Sequence, residues 1–187
     1  MFPNSMAKNS AKIFIISTIV LYAIQIILRL IFEGVTSFNN WIFWVNLIIA
    51  VLQIIFMLTK RKNHFFTITI ILNLIVVIYQ AVNLIQTVEN RDFIDVLLKI
   101  SNSLFIIPNI VLIVNSISPR SKTVFIAPVF YIIAYISFIT FFTIETTRDN
   151  SFIILSYIYF YSLIALFIVP VQMMSLSKYF LYNEYRK

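Results

Sequence analysis

The chain of 187 residues contains no cysteine, one histidine (His64) and one glycine (Gly34). The absence of cysteine excludes disulfides, thiolate metal sites and membrane peptidases that need a cysteine nucleophile. A single histidine cannot build a zinc site, and the sequence has no cluster of His and Glu typical of an intramembrane metalloprotease. We therefore expect no metal, no cofactor and no enzymatic activity.

Charged residues are also scarce, at 11% of the chain against 61% hydrophobic residues, which leaves too little polar sequence to cover a soluble domain. The hydrophobic residues gather in runs of about 19–25 residues, enough for a helix to cross a hydrocarbon core of ~30 Å. The runs are apolar at consecutive positions, unlike the alternating strands of a membrane barrel. They occupy residues 12–32, 41–59, 64–86, 93–116, 122–144 and 151–175. The sequence predicts a single-domain, all-α integral membrane protein, a bundle of six transmembrane helices with short loops.

Positive charge alternates between the polar segments that separate these runs. The first, third, fifth and last segments hold ten basic residues and one acid, Glu184. The other segments and their flanking turns hold four basic residues, Arg29, Arg91, Lys99 and Arg148, against six acids. Because basic segments are retained on the cytoplasmic side, both termini are predicted to be cytoplasmic, in a multi-pass protein of the cell membrane.

The net charge of +7 is explained by this threading and by attraction to anionic lipid, so we expect no nucleic-acid partner. Residues 176–187 combine Tyr179, Tyr182 and Tyr185 with basic residues and predict a short amphipathic cytoplasmic tail along the inner leaflet. The abundance of isoleucine, with 37 residues, is typical of an AT-rich, bacterial genome.

Polar residues inside the apolar runs recur at helical spacing. In the first run Thr18, Tyr22, Gln25 and Arg29 share one helix face, and the next three runs carry similar rows. Those rows are Asn46 and Gln53; Thr69, Asn73, Gln80 and Asn83; and Asp95, Lys99, Asn102 and Asn109. Since an unsatisfied amide in hydrocarbon costs several kcal/mol, we expect helices one to four to share a polar interior. The fifth and sixth helices should pack against it mainly through aromatic and aliphatic groups.

Six of these polar residues fall at similar depth near the outer ends of their helices. They form the candidate site, an outer polar cluster of Arg29, Asn46, Gln80, Asn83, Asp95 and Lys99. Ionisable groups inside a membrane are functional candidates. The alternative is structural, because Asp95 and Lys99 can pair across one helical turn and Arg29 can reach the interface.

Three prolines, Pro108, Pro128 and Pro170, lie about five to eight residues from the cytoplasmic ends of the last three runs. Each removes a helical hydrogen bond and predicts a kink. Kinks at one depth could open a cytoplasmic cavity, although proline is also common in ordinary membrane helices.

These features leave two functions open. The first choice is a non-enzymatic membrane protein that acts through a membrane or secreted protein partner, as an immunity protein or an accessory subunit does. Short loops and the absence of catalytic motifs favour it. The alternative is a small-solute transporter or the substrate-binding membrane subunit of a transporter, which the polar rows and prolines favour.

Overall fold

A computed structural model describes residues 3–32, 41–59, 62–87, 93–148 and 156–184. The described residues form helices and turns, with no strand among them, and six helical segments are long and apolar enough to cross a membrane. The prediction of an all-helical protein with six membrane-crossing segments is confirmed. Several charges that entered the orientation argument lie outside the described residues: Glu33, Lys60, Arg61, Glu89, Arg91, Asp92, Asp149, Arg186 and Lys187.

Seven α-helices build the six segments, because the fourth segment is divided. The helices are α1 (Pro3–Phe32), α2 (Trp41–Leu58), α3 (Asn63–Thr87), α4 (Phe93–Ser103), α5 (Ile106–Ile117), α6 (Ile126–Arg148) and α7 (Ser156–Glu184). A short 3-10 turn at Ser121–Thr123 precedes α6.

The outer surface of the bundle is apolar. Large side chains such as Ile16, Ile31 and Phe167 are 61%, 67% and 75% exposed. Soluble monomers rarely expose contiguous apolar patches beyond a few hundred Å². A surface of isoleucine and phenylalanine is instead suited to contact with lipid chains, as expected for a multi-pass membrane protein.

The helices form a ring. Helix α1 packs along α7, α7 packs on α6, α6 contacts α4 and α5, these contact α3, and α3 packs on α2. Contact between α2 and α1 closes the ring over a short stretch. Alanines allow the closest approaches: Ala127, Ala134 and Ala165 are fully buried. With glycine missing from the membrane-crossing runs, alanine takes the role that small residues have at membrane helix contacts.

The fourth segment differs from its prediction as one continuous helix, because it breaks between α4 and α5. Pro108 has no N–H to donate to the carbonyl of Leu104, and the chain tightens there instead. The N–H of Ile107 donates to Leu104 at 3.1 Å, and the N–H of Phe105 donates to Asn102 at 3.3 Å. Both are three-residue contacts of the 3-10 type.

The other two prolines have different settings. Pro128 is the third residue of α6, near the first turn, where a missing N–H has little effect. Pro170 lies inside α7, which is assigned as one helix from Ser156 to Glu184. Pro108 is therefore the proline that coincides with a break.

The end of the chain also differs from the predicted surface tail. Helix α7 continues to Glu184, and Leu176, Tyr179 and Phe180 are buried within the bundle. The apolar and aromatic side chains of this segment pack against other helices. This packing buries more of their surface than a position along the bilayer interface would.

Candidate functional site

A cavity of about 1020 Å³ occupies the centre of the helix ring. It reaches the upper end of the size range of small-molecule sites, which runs to about 1,000 Å³. All six membrane-crossing segments contribute to its wall. The polar residues of the wall are Thr18, Tyr22, Gln25, Arg29, Asn46, Gln53, Asn73, Gln80, Asn83, Thr87, Asn102, Asn109, Tyr131, Tyr135, Thr146, Tyr161, Ser162 and Gln172.

The cavity extends to one end of the bundle. Its wall includes Arg29 in the last turn of α1, Ile42 in the first turn of α2, and Thr87 at the end of α3. We call this the cavity end. The wall also includes Thr146 in the last turn of α6, so four helices bring lining residues to the same end of the ring.

The opposite end is filled by an apolar cluster, which we call the seal. It contains Phe14, Met57, Phe66, Ile70, Leu112, Ala127, Met173, Leu176, Tyr179 and Phe180. Phe66 and Phe180 are fully buried, and their ring centroids lie 5.7 Å apart. The seal joins residues from α1, α2, α3, α5, α6 and α7, so it closes the centre of the ring at this end.

Hydrogen bonds tie the helices together around the seal. The Asn63 side chain donates to the carbonyl of Phe180 at 3.1 Å and accepts from Asn183 at the same distance. Thr67 and Ser116 share a hydrogen bond of 2.7 Å between α3 and α5. Bonds of this kind in membrane bundles average about 0.6 kcal/mol each, so their number matters more than any single one.

Other hydrogen bonds hold the cavity wall in shape. The Asn73 side chain donates to Asn109 Oδ1 at 2.7 Å, which joins α3 to α5. Gln53 donates to Thr69 at 3.1 Å between α2 and α3. Gln172 donates to Thr18 at 3.0 Å between α7 and α1. These amides are structural ties as well as lining groups.

Four lining amides have no such tie. The side chains of Asn46, Gln80, Asn83 and Asn102, which we call the open amides, make no hydrogen bond with other described residues. Each open amide offers two N–H donors and a carbonyl acceptor. An amide held unsatisfied within a membrane costs several kcal/mol, so the cavity must contain water or a polar solute.

The wall is aromatic along α6 and at the break between α4 and α5. The ring of Phe105 lies 5.4 Å from Tyr131, 4.7 Å from Tyr135 and 6.0 Å from Phe138, measured between centroids. Tyr131 and Tyr135 are themselves 4.6 Å apart. We call these four residues the aromatic wall. Their spacing is that of stabilising aromatic pairs, so the wall is a rigid surface.

Charge in the described lining is limited to one residue, Arg29. It is 8% exposed, and its guanidinium carbon lies 5.1 Å from the centroid of Phe43, within range of a cation–π contact. No Asp or Glu is present in the described lining, and no three His, Asp or Glu side chains of the described residues come together as a metal site. The cavity therefore offers hydrogen bonds, aromatic surface and one positive charge.

The structure divides the candidate cluster that the sequence suggested. Arg29, Asn46, Gln80 and Asn83 line the cavity. Asp95 and Lys99 do not line it: Asp95 is 1% exposed within α4, and Lys99 is partly buried on the same helix. Helical periodicity placed these two residues on the row of Asn102 and Asn109, but the α4 residues in the wall are Leu98 and Asn102, so the row that faces the cavity passes beside Asp95 and Lys99.

The wall also contains residues that the sequence analysis did not assign to a site. Tyr131, Tyr135 and Tyr161 were expected to serve packing, and Gln172 and Ser162 were not singled out. All five line the cavity, so the fifth and sixth segments contribute polar groups as well as apolar ones. The lone glutamine within the apolar sequence of α7 was the one signal that could have indicated this.

The break between α4 and α5 lies on the cavity wall, since Asn102, Phe105 and Asn109 all line the cavity. The Asn109 side chain donates to the carbonyl of Phe105 at 2.9 Å, which satisfies part of the interrupted backbone. Non-helical backbone at membrane depth is tolerated where it is buried or lines a hydrated cavity, and discontinuous helices mark the binding sites of many transporters.

Comparison with protein-family models, curated proteins and solved structures found no match for this chain.

Proposed function

We propose that this chain is a membrane protein that captures a small polar solute in its central cavity, as a transporter or as the substrate-binding membrane subunit of a transporter. The observation that carries the proposal is the cavity of about 1020 Å³ with four open amides. Its size and its mixture of aromatic and polar groups are those of small-molecule sites.

The cavity favours solute capture over the partner-protein function that the sequence analysis placed first. A bundle that presents only its outer surface to a partner needs no interior space, and a packed apolar core would stabilise it better. Here the open amides of α2, α3 and α4 face a void instead of a packed core. A partner protein enters this proposal only as the remainder of a transport complex.

Charge supports an orientation for the cavity. The described basic residues near the sealed end are Lys8, Lys12, Lys62, Arg120, Lys122 and Lys178. By the positive-inside rule these residues are cytoplasmic. In the cell membrane, with both termini inside, the cavity end then faces outward and the seal faces the cytoplasm.

Capture at the outer face is one half of a transport cycle. The seal separates the cavity from the cytoplasm, so release inward requires a rearrangement of the helices that form it. The break at Leu104–Phe105 divides the fourth segment between the outer half of the cavity and the seal, with α5 contributing Leu112 to the seal. Such a break allows α5 to move separately from α4, as hinge motions in transporters do.

Access of water to the cavity tests this function without knowledge of the solute. Because the chain has no cysteine, a single introduced cysteine is the only thiol. In intact cells we expect Gln80→Cys to react with a membrane-impermeant charged thiol reagent. Its matched control is Ile78→Cys, at an exposed position on α3 that is not part of the lining and that lipid should cover.

A reactive Gln80→Cys beside an unreactive Ile78→Cys is the result that supports solute capture. Equal protection of both thiols, in protein that is expressed and folded, would show a dry interior and would remove the basis of the proposed function. Labelling of both to the same extent would mean that this part of α3 does not face lipid on either side, and it would contradict the fold.

A further inference from the structure

We infer that the solute of the cavity is a flat, neutral heteroaromatic molecule whose ring edge carries both carbonyl and N–H groups. This inference rests on the proposed function and specifies its substrate class. It follows from three properties of the wall taken together: the aromatic wall, the open amides and the absence of acidic groups in the described lining.

The aromatic wall determines the shape of the solute. Phe105, at the break before α5, forms one connected set of rings with Tyr131, Tyr135 and Phe138 of α6, and all four line the cavity. Aromatic side chains attract flat π systems through stacked or edge-to-face contacts. A sugar or a flexible aliphatic chain gains much less from such a surface. The wall therefore selects a solute with an aromatic ring system.

The open amides determine which hydrogen-bonding groups the edge of that ring system must carry. Asn46 lies on α2, and Gln80 and Asn83 lie on α3, two helices that are not neighbours of α6 in the ring. Asn102 lies on α4, next to the aromatic wall, because α4 contacts α6. A primary amide both donates and accepts, so its complement is a group that does the same. Ring carbonyl and N–H groups side by side meet this condition. An aromatic hydrocarbon does not, because it would leave buried amides unpaired.

Charge determines which heteroaromatic molecules are excluded. A cationic ring would find no carboxylate in the described lining and would share the cavity with Arg29. Burial of an uncompensated charge near a like charge is unfavourable. A neutral ring avoids this cost.

Three probes separate these properties. Lumichrome is a neutral, flat, three-ring heterocycle with ring carbonyl and N–H groups. Proflavine is a flat three-ring molecule of similar size that is a cation at neutral pH and has no ring carbonyl. Sucrose is neutral and rich in hydroxyl groups but has no aromatic face. Each is added to the full-length protein in lipid nanodiscs, and the midpoint of thermal unfolding is measured as a function of probe concentration.

The variant Ala50→Trp shows how much binding does not depend on the cavity, because Ala50 lines the cavity and an indole there obstructs it. Binding that survives in Ala50→Trp is adsorption to lipid or to the outer surface. We expect stabilisation by lumichrome in the wild type, absent in Ala50→Trp, and no such difference for proflavine or sucrose.

Two substitutions then test the predicted contacts. Phe105→Leu and Asn102→Leu should each weaken lumichrome binding about tenfold, through loss of an aromatic contact and of a hydrogen bond respectively. The control Phe130→Leu changes a side chain on α6 that is 40% exposed outside the cavity, and it should bind as the wild type does. Unfolding midpoints without probe show whether each variant is folded.

The remaining outcomes overturn the inference. Cavity-dependent binding of sucrose or proflavine in place of lumichrome would show a different substrate class while leaving the proposed function intact. If no probe distinguishes the wild type from Ala50→Trp, the substrate class is wrong, and the labelling of Gln80→Cys decides separately whether solute capture stands. Equal loss of binding in Phe105→Leu and Phe130→Leu would contradict the role of the aromatic wall.

Discussion

Substitution of Ala50 by tryptophan is expected to abolish binding of every solute that the wild-type cavity accepts, while the helix bundle remains folded. Ala50 lies on the inner face of α2, one turn from Asn46 and about one turn from Gln53, all of which line the cavity. An indole at this position projects into space that is otherwise open to solute. We expect the dissociation constant to rise on the order of 100-fold or more, since the ring occupies the site itself.

The fold should tolerate this change because the added volume enters a cavity. Extra methylenes forced into a packed core cost about 1–3 kcal/mol through displaced neighbours. A void of about 1020 Å³ has room for the ring. The matched control is Ala23→Trp on the exposed face of α1, outside the lining, where the indole meets lipid and binding should be unchanged.

Solute binding to both variants is measured by calorimetry in nanodiscs with the probe that the wild type binds best. Retention of wild-type affinity in Ala50→Trp would place the binding site elsewhere. Equal loss in both variants would indicate a general effect of tryptophan on the bundle and would contradict the role of the cavity.

Truncation of Phe66 to alanine is expected to have the largest effect on stability. Phe66 is fully buried at the centre of the seal. Its ring centroid lies 5.8 Å from Phe56, 5.3 Å from Tyr179 and 5.7 Å from Phe180. The substitution removes contacts from α3 to two other helices, α2 and α7, and leaves a void between them.

The expected magnitude is smaller than in a soluble protein. There Phe→Ala costs about 3–5 kcal/mol, of which about 1.5–3 kcal/mol reflects transfer of the side chain from water. Within a bilayer the unpacked helix remains in an apolar solvent, so the transfer part is largely absent. We expect a loss of roughly 2 kcal/mol in the free energy of unfolding, from packing alone.

Reversible unfolding in mixed detergent micelles measures this loss. The control Phe130→Ala removes a ring that is 40% exposed toward lipid, and it should change stability by less than about 0.5 kcal/mol. If the two substitutions have equally small effects on stability, Phe66 does not hold the sealed end together, and the structural role given to the seal is wrong.

The sequence predicted the membrane-crossing helices well because their signal is local. A run of about 20 apolar residues is sufficient to indicate a transmembrane helix, whatever its neighbours. The row of Thr18, Tyr22, Gln25 and Arg29 on α1 is also a local signal, and all four residues line the cavity. The helical repeat alone is enough to show which residues share a face.

The cavity itself could not be predicted, since it depends on the arrangement of helices around a ring. A row of amides can face another row or a void, and packing between segments distant in sequence decides which. The hydrogen bond from Gln172 to Thr18 is one contact of this kind. The rotation of α4 about its axis, which brings Leu98 and Asn102 into the wall and leaves Asp95 and Lys99 outside it, is likewise decided by packing. The aromatic wall was hidden because Tyr131 and Tyr135 resemble ordinary packing residues in a chain with 17% aromatic content.

The proposed function requires a hydrated cavity that is open to the outer face and closed to the cytoplasm. Asn102→Cys tests it most directly, because Asn102 lines the cavity near the end of α4, beside the break. The control is Ile100→Cys on the same helix, where the native side chain is 52% exposed outside the lining.

Labelling with a membrane-impermeant thiol reagent is compared in intact cells and in inside-out vesicles. We expect Asn102→Cys to react in intact cells and to be protected in inside-out vesicles, and we expect Ile100→Cys to be protected in both. Labelling of Asn102→Cys from the cytoplasmic side alone, or protection of it from both sides, would contradict an outward-facing cavity above a cytoplasmic seal.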